Sequence, residues 1–197
     1  MSGDTVYLKD TYQLSMRDDK LKRMVLRAFD AADLGIVDFR TVDGEGTDIV
    51  FRHEMNGIDA QEMDFPSSME SKGTNRMFSL IGPVAKALRD GGTVLIDGFG
   101  SDLHPFLTRW VVSLFNSSEN SSGAQLIVNT HDLSLMDIRD VFRRDQIWFT
   151  NKDRGSGASV LYPLSYFKGV RKNSDILHDY IAGRFDAIPY IISYDTL

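Results

Sequence analysis

The chain has 197 residues, a net charge of −6 at pH 7 and 42% hydrophobic against 25% charged residues, which is the composition of an ordinary folded domain. The acidic balance argues against a general binder of nucleic acids or membrane surfaces and leaves only a local basic patch open. The chain has no cysteine, which excludes disulfides and thiolate sites, and it has no apolar run as long as a membrane helix, so we expect a cytoplasmic protein.

The first third of the chain predicts one helix and two strands. Apolar residues recur at helical spacing from residue 18 to 32, which indicates an amphipathic helix. Two strand-like runs follow at residues 36–42 and 48–55, and the Gly- and Asp-containing residues 43–46 between them favour a hairpin turn. Residues 59–69 are mostly polar and include a proline, so we expect a loop there.

The middle of the chain predicts alternating helices and buried strands. A helix is expected from Thr74 to about Arg89, and Pro83 within it suggests a kink or a break. Residues 93–96 form a short apolar run typical of a strand buried on both faces of a parallel sheet, and residues 125–128 form a second. Pro105 is well placed at the start of a helix that joins them and ends at Phe115.

The last third predicts a short helix from residue 132, a hairpin of strands at 146–150 and 159–162, and a helix at 175–182 before an apolar tail. The order of all these elements predicts an α/β fold. In it, a largely parallel core sheet carries an antiparallel hairpin at its edge and is flanked by helices. We expect residues 1–197 to form a single domain.

Polar residues directly follow the two apolar strands. Asp97 ends the first strand, and His131 follows the second. In open α/β sheets the carboxyl ends of the strands face the ligand crevice, where a carboxylate could hold Mg²⁺ against nucleotide phosphates and a histidine could donate to a terminal phosphate. The alternatives are that Asp97 caps the next turn and that His131 is structural, the commoner role of a lone histidine.

The segment Ser71–Thr74 leads directly into the central helix. A hydroxyl, a glycine and free N–H groups at a helix N-terminus form an anion site, although N-capping by Ser71 or Thr74 is the commoner use of such residues. His104, before Pro105, has a similar alternative, since it could pack or cap at the helix start.

These features together resemble the C-terminal half of ABC-type ATPases. The resemblance lies in their order: Ser71-x-Gly73 at a helix start, a strand ending in Asp97, the turn 101–104, and a strand ending in His131. It is greatest to bacterial AAA/ABC-like ATP-binding proteins associated with abortive infection and phage defence. Further agreement comes from three C-terminal segments, at residues 143–149, at 161–164 and at 180–185 with 187–189.

The resemblance implies a P-loop-NTPase-like fold and roles for individual residues. Asp97 matches the Walker B aspartate, which handles Mg²⁺, and His131 matches the switch histidine, so these two are the candidate catalytic residues. Ser71 and Gly73 match the signature motif, which in this class reaches the γ-phosphate of an ATP bound by a second ATPase copy.

The turn that follows Asp97 matches the D-loop of the same class. Ser101 and Asp102 in that turn are therefore further candidate nucleotide-binding residues. Such ATPases close around two ATP molecules as a head-to-tail dimer, so the resemblance also implies partner association.

Two departures from the family pattern limit these expectations. No Gly-x-x-x-x-Gly-Lys-Ser/Thr occurs in the chain, so the P-loop that embraces phosphates and Mg²⁺ is missing. Gly98 stands where the catalytic glutamate is usual, and a group that activates water is worth roughly 10²–10⁴-fold in rate. We therefore expect a partial ABC-type domain that binds ATP and Mg²⁺ only with a P-loop-bearing half or a homologous ATPase subunit.

Two alternatives to this function have different chemistry. The first is a catalytically inactive interaction or scaffold module that retains the ATPase fold. It remains open because Gly98 and the missing P-loop leave undecided whether ATP is hydrolysed. A nuclease has little support, because Asp137, Asp140 and Asp145 form no recognised metal pattern and are more simply explained as solvated surface acids.

Overall fold

The computed structural model describes residues 3–42, 48–55, 61–118, 120–136, 141–171 and 173–188. The helices are α1 (Gly3–Arg17), α2 (Asp19–Ala31), α3 (Lys72–Asp90), α4 (Pro105–Phe115) and α5 (Ile176–Ile181). The strands are β1 (Ile36–Thr41), β2 (Ile49–Met55), β3 (Gln61–Pro66), β4 (Thr93–Phe99), β5 (Gln125–Thr130), β6 (Trp148–Lys152) and β7 (Ser159–Pro163). Within the described ranges, no helix has the length and apolar character that crossing a membrane requires.

The chain divides into two compact units, residues 1–131 and 132–197, and each is described by itself. The first unit holds an antiparallel sheet in the order β1-β2-β3 and a parallel pair, β4-β5, and the second holds the hairpin β6-β7. The predicted α/β fold, with a parallel sheet, an antiparallel hairpin and flanking helices, is thus confirmed. That the whole chain forms a single domain stays a prediction.

The core of the first unit is a cluster of aromatic rings between the helices and the antiparallel sheet. Phe29 of α2, Phe39 of β1, Phe51 of β2 and Phe78 of α3 are each at most 1% exposed. Phe78 contacts the other three rings, at centroid distances of 4.9 to 5.8 Å. The sequence brings them together because apolar residues recur along α2 and α3 at helical spacing and face the sheet.

The expectation of a loop at residues 59–69 was wrong for the part that forms β3. This strand pairs antiparallel with β2 from Val50↔Pro66 to Met55↔Gln61. Its polar character reflects an exposed edge, where Asp64 accepts from Arg40 Nη2 at 2.8 Å and from Arg52 Nε at 3.0 Å. Such cross-strand ion pairs stabilise a strand that has no apolar alternation. The predicted hairpin turn at residues 43–46 lies outside the described residues.

The expectation that the parallel strands are buried on both faces was also wrong. α3 contacts β4 and α4 contacts β5, and the apolar residues on one face are half-buried. On the other face Leu95 is 72% exposed and Ile127 is 55% exposed, and the two residues are paired across the strands. Among the described residues nothing covers this face. Only one of the two apolar faces of these strands is therefore packed against helices.

The second unit is built on the hairpin that the sequence predicted. β6 and β7 pair antiparallel from Trp148↔Pro163 to Lys152↔Ser159. Phe149 is 5% exposed and stacks on the fully buried Phe185 at 5.1 Å, and the hydroxyl of Tyr162 donates to the Phe185 carbonyl at 2.7 Å. This small core is completed by Leu164, Val170 and Ile176.

Candidate functional site

Asp97 lies near the carboxyl end of β4, on its exposed face. The parallel register with β5 is regular up to Ile96 and shifts before Phe99, so the strand bulges at Asp97 and Gly98. Gly98 has a φ of +65°, a left-handed backbone conformation that favours glycine. The chain pairs with β5 again at Phe99, so the bulge interrupts the ladder at the Asp97 carboxylate.

The D-loop-like turn follows this bulge and is tightly bonded to itself. The N–H of Ser101 donates to the Gly98 carbonyl at 3.1 Å, and the N–H of Leu103 donates to the Gly100 carbonyl at 3.1 Å. Ser101 and Asp102 are exposed, and Asp102 has a φ of +60°. Two exposed polar side chains are thus presented on a short, constrained turn.

Asn129 is a polar neighbour of Asp97 that the sequence reasoning missed. It lies on β5, and its side-chain Nδ2 donates to Asp97 Oδ1 at 2.9 Å. The two residues are on adjacent parallel strands and 32 positions apart, so the contact depends on the strand register and not on any local pattern. The available sequence signal was that Asn129 directly follows the apolar run at residues 125–128.

His131 directly follows β5 and is exposed. It therefore lies at the same end of the parallel pair as Asp97, as expected of residues that follow neighbouring parallel strands. The preceding residue, Thr130, fixes this end, because its hydroxyl donates to the Phe99 carbonyl at 2.5 Å.

Ser71 is the N-cap of α3. Its Oγ accepts from the Thr74 N–H at 3.0 Å and lies 2.9 Å from Thr74 Oγ1. The side chain of Ser71 is exposed. The capping role considered from the sequence is therefore present, and it leaves the serine at the surface at a helix N-terminus, where N–H groups attract anions.

Gly73 brings this helix start against the D-loop-like turn. A Cβ placed on Gly73 would lie 2.9 Å from the carbonyl oxygen of Asp102, which is closer than real Cβ contacts. Only glycine therefore allows the approach. The structure thus brings two of the sequence-predicted segments together, at Gly73 and Asp102.

The segment before Ser71 is held by side chains of both neighbouring elements. His53 Nε2 of β2 lies 2.6 Å from Glu70 Oε1, and both side chains are less than one-fifth exposed. Asn75 Nδ2 donates to the Ser67 carbonyl at 2.8 Å and to the Ser71 carbonyl at 3.3 Å. The position of Ser71 is consequently fixed from the sheet and from α3.

His104 has the structural role that the sequence left open. Its Nδ1 accepts from the Phe106 N–H at 3.2 Å as the N-cap of α4.

The nuclease alternative gains nothing from the described acids. Asp145 is paired with Arg143 at 2.8 Å, and this guanidinium lowers the pKa of its carboxyl, whereas Asp137 and Asp140 lie outside the described residues.

The donor set at Asp97 fits Mg²⁺ only as a partial site. Its Oδ1 accepts from Asn129, and no group of three His, Asp or Glu side chains that could hold a metal occurs among the described residues. Mg²⁺ commonly binds one or two carboxylates, with water and substrate phosphates completing its shell. Asp97 can supply one such oxygen, and a nucleotide and water would complete the shell.

The chain was compared with known families, curated proteins and solved structures. The family described as "AAA domain, putative AbiEii toxin, Type IV TA system" matches residues 7–137, which include every candidate site residue. No curated protein matches. A solved structure from work on ATP-driven dimerization and DNA-stimulated activation of SMC ATPases is 16% identical, with a TM-score of 0.50, over 78% of this chain and 88% of that chain. These findings agree with a P-loop-NTPase-like fold.

Proposed function

Since this chain belongs to the family "AAA domain, putative AbiEii toxin, Type IV TA system", we propose that it supplies one half of an ATP-binding site. In this proposal it is the C-terminal half of an ABC-type ATPase module, with signature, Walker B, D-loop and switch-histidine elements. It binds ATP and Mg²⁺ together with a P-loop-bearing half or a homologous ATPase subunit. The assembly is a head-to-tail dimer in the cytoplasm.

One observation carries the proposal: the candidate residues gather at one end of the parallel pair. Asp97 lies near the carboxyl end of β4 and His131 directly follows β5, and Gly73 packs against the Asp102 carbonyl of the turn after β4. Segments far apart in sequence therefore converge on the edge where α/β sheets bind ligands.

The uncovered face of the parallel pair supports the need for a second polypeptide. Leu95 and Ile127 are mostly exposed on that face, although fully burying such a side chain stabilises a protein by roughly 1.5–3 kcal/mol. The sequence also lacks a P-loop. A P-loop-bearing half that docks on this face would cover the apolar residues and supply the phosphate-binding backbone in one step.

The residues of this chain would then have separate tasks. Mg²⁺, when bound, would neutralise charge on the nucleotide phosphates. Asp97 would offer it one carboxylate oxygen, and His131 would donate to the terminal phosphate from the same edge of the sheet. The N-terminus of α3, with Ser71, would face the γ-phosphate of the ATP held by the partner, and Ser101 and Asp102 would be further nucleotide-binding residues.

Hydrolysis in this assembly would be slow, because Gly98 supplies no group to orient or deprotonate water. The specific alternative, a catalytically inactive scaffold, is favoured by the same residue. The two are separated by Gly98→Glu in the reconstituted assembly. Recovered turnover supports an impaired ATPase, whereas binding without turnover supports the scaffold.

The test is nucleotide binding by the chain mixed with a P-loop-bearing polypeptide. We expect binding of a fluorescent ATP analogue only in the mixture, and we expect Asp97→Asn or Ser71→Ala to weaken it at least tenfold. Asp145→Asn makes the same charge change as Asp97→Asn on a surface acid of the second unit and should bind normally. Nucleotide binding that is indifferent to Asp97 and Ser71, or no binding in any mixture, would contradict the proposal.

A role in phage defence is the biological setting that we propose from the family. Cells that carry the wild-type chain with its partner should resist phage infection, and cells that carry Asp97→Asn should not. Equal plaque counts for wild type and variant would contradict this setting without affecting the binding experiment.

A further inference from the structure

The exposed face of the parallel pair carries three cross-strand pairs of different character. Thr93 is paired with Gln125, and Leu95 is paired with Ile127. Asp97 and Asn129 follow at the carboxyl end, joined by the 2.9 Å hydrogen bond from Asn129 Nδ2. Asn129 is therefore the neighbouring-strand side chain that contacts the candidate metal-binding carboxylate.

The backbone that carries Asn129 is fixed on both sides. Val128 is in register with Ile96, and Thr130 is in register with Phe99. The hydroxyl of Thr130 also donates to the Phe99 carbonyl at 2.5 Å. The amide of Asn129 consequently projects from a regular strand, whereas Asp97 lies at the bulge that interrupts the register of β4.

The bulge makes this anchoring important for Asp97. Gly98 has no side chain with which to restrain its neighbour, and its positive φ lies within the register shift between Ile96 and Phe99. The hydrogen bond to Asn129 occupies Oδ1 and directs the plane of the carboxylate. Within the described part of the chain, no hydrogen bond to Oδ2 accompanies it, so one oxygen is held and the other is left to a ligand.

We propose that Asn129 is a positioning residue, which holds the Asp97 carboxylate in the orientation that presents its second oxygen to nucleotide-bound Mg²⁺. This inference rests on the proposed function. Partners that orient a metal ligand typically contribute 10–100-fold in metal affinity, and an uncharged amide does so without adding charge to the site.

The experiment measures the Mg²⁺ dependence of nucleotide binding, not turnover. The chain is combined with its P-loop-bearing partner, and binding of the fluorescent ATP analogue is followed as Mg²⁺ is added after EDTA. We expect Asn129→Ala to raise the Mg²⁺ concentration at half-saturation at least tenfold, with binding in EDTA unchanged. Asn129→Gln, which keeps an amide donor, should recover part of the loss.

Gln125→Ala is the matched control, because Gln125 forms the polar pair at the other end of the same face, 3.4 Å from Thr93 Oγ1. It should leave the Mg²⁺ dependence and the thermal unfolding midpoint unchanged. In the chain alone, the side-chain amide proton resonance of Asn129 should move when Asp97→Ala removes its acceptor. An unmoved resonance would overturn the inference.

The outcomes separate the two proposals. If Asp97→Asn abolishes Mg²⁺-dependent binding and Asn129→Ala behaves as wild type, the role of Asn129 is wrong and the proposed function stands. If Asn129→Ala and Gln125→Ala shift the Mg²⁺ dependence equally, the effect belongs to the sheet face in general, and the inference is again overturned. If Asp97→Asn changes nothing, both proposals fail.

Discussion

Thr11 on α1 donates its hydroxyl to the main-chain carbonyl oxygen of Ser79 on α3, at 3.4 Å. Pro83 lies four residues after Ser79 and has no N–H, so this carbonyl lacks its usual helical partner. The helices cross closely here, since a Cβ on Gly82 would lie 2.3 Å from Thr11 Oγ1. A donor from a second helix therefore replaces the missing bond, and α3 continues through Pro83 from Lys72 to Asp90.

This relationship predicts that Thr11 and Pro83 are energetically coupled. Thr11→Val removes the donor and keeps the shape, so we expect it to lower the free energy of unfolding by about 1–2 kcal/mol, the cost of an unpaired buried carbonyl. In a Pro83→Ala background the helix supplies its own N–H, and the same change should cost less than half as much. Urea unfolding of the four proteins gives the coupling.

The control for this cycle is Thr108→Val. Thr108 is also fully buried and donates to a carbonyl, that of His104, but that carbonyl already accepts from the N–H groups of Leu107 and Thr108. Its loss should cost less than that of Thr11. Equal costs of Thr11→Val with and without Pro83 would contradict the explanation.

The fold could be predicted where local periodicity decides it. The helix after Asp18 and strands β1 and β2 follow from apolar spacing, and the structure has them within a residue or two of their expected bounds. β3 could not be predicted in this way, because the ion pairs of Asp64 with Arg40 and Arg52 depend on strand pairing. The continuity of α3 at Pro83 likewise depends on Thr11, 68 residues away from the carbonyl it satisfies.

In the candidate site, too, some residues could be predicted from local sequence and others depend on contacts between distant segments. Asp97 could be selected from sequence because it directly follows an apolar run, and His131 because it follows the next strand and matches the switch histidine of the resembling family. Asn129 could not, because its contact with Asp97 depends on the register of β5 against β4. The need for glycine at position 73 was equally hidden, since it arises from the Asp102 carbonyl.

Gly73→Ala should destabilise the first unit, although alanine usually favours a helix over glycine by about 1 kcal/mol. The reason is the 2.9 Å approach of its Cβ to the Asp102 carbonyl oxygen, a backbone atom that can move only with the whole turn. We expect a lower thermal unfolding midpoint and weaker nucleotide binding in the reconstituted assembly. Lys72→Ala, at the exposed neighbouring position, should leave the midpoint unchanged. A midpoint for Gly73→Ala at or above wild type would show that the turn yields freely.

Substitutions at Gly98 should follow backbone conformation before chemistry. At a φ of +65° a residue with a Cβ is strained by roughly 1–2 kcal/mol, while asparagine tolerates this region better. We therefore expect Gly98→Ala and Gly98→Glu to lower the free energy of unfolding by about that amount and Gly98→Asn by less, measured in urea. Equal losses for alanine and asparagine would contradict the conformational explanation. ATP turnover by Gly98→Glu must therefore be measured at a temperature at which this variant is fully folded.

Asp18 should make the stability of the first unit depend on acid pH. It is the N-cap of α2, and the Lys20 N–H, which donates at 2.8 Å, is the main cause that lowers the pKa of its carboxyl from 3.8, with help from the Leu21 N–H and Arg89. A lowered folded-state pKa means that the stabilisation is fully present above 3.8 and is lost as the pH falls through the folded value.

Asp18→Asn keeps a capping oxygen but loses the charge. Its thermal midpoint should therefore lie below that of wild type at pH 7, and the difference should close as the pH falls through the folded-state pKa of Asp18. Asp19→Asn makes the same charge change one residue later. If it reproduces the whole pH-dependent difference, net charge and not the cap is responsible.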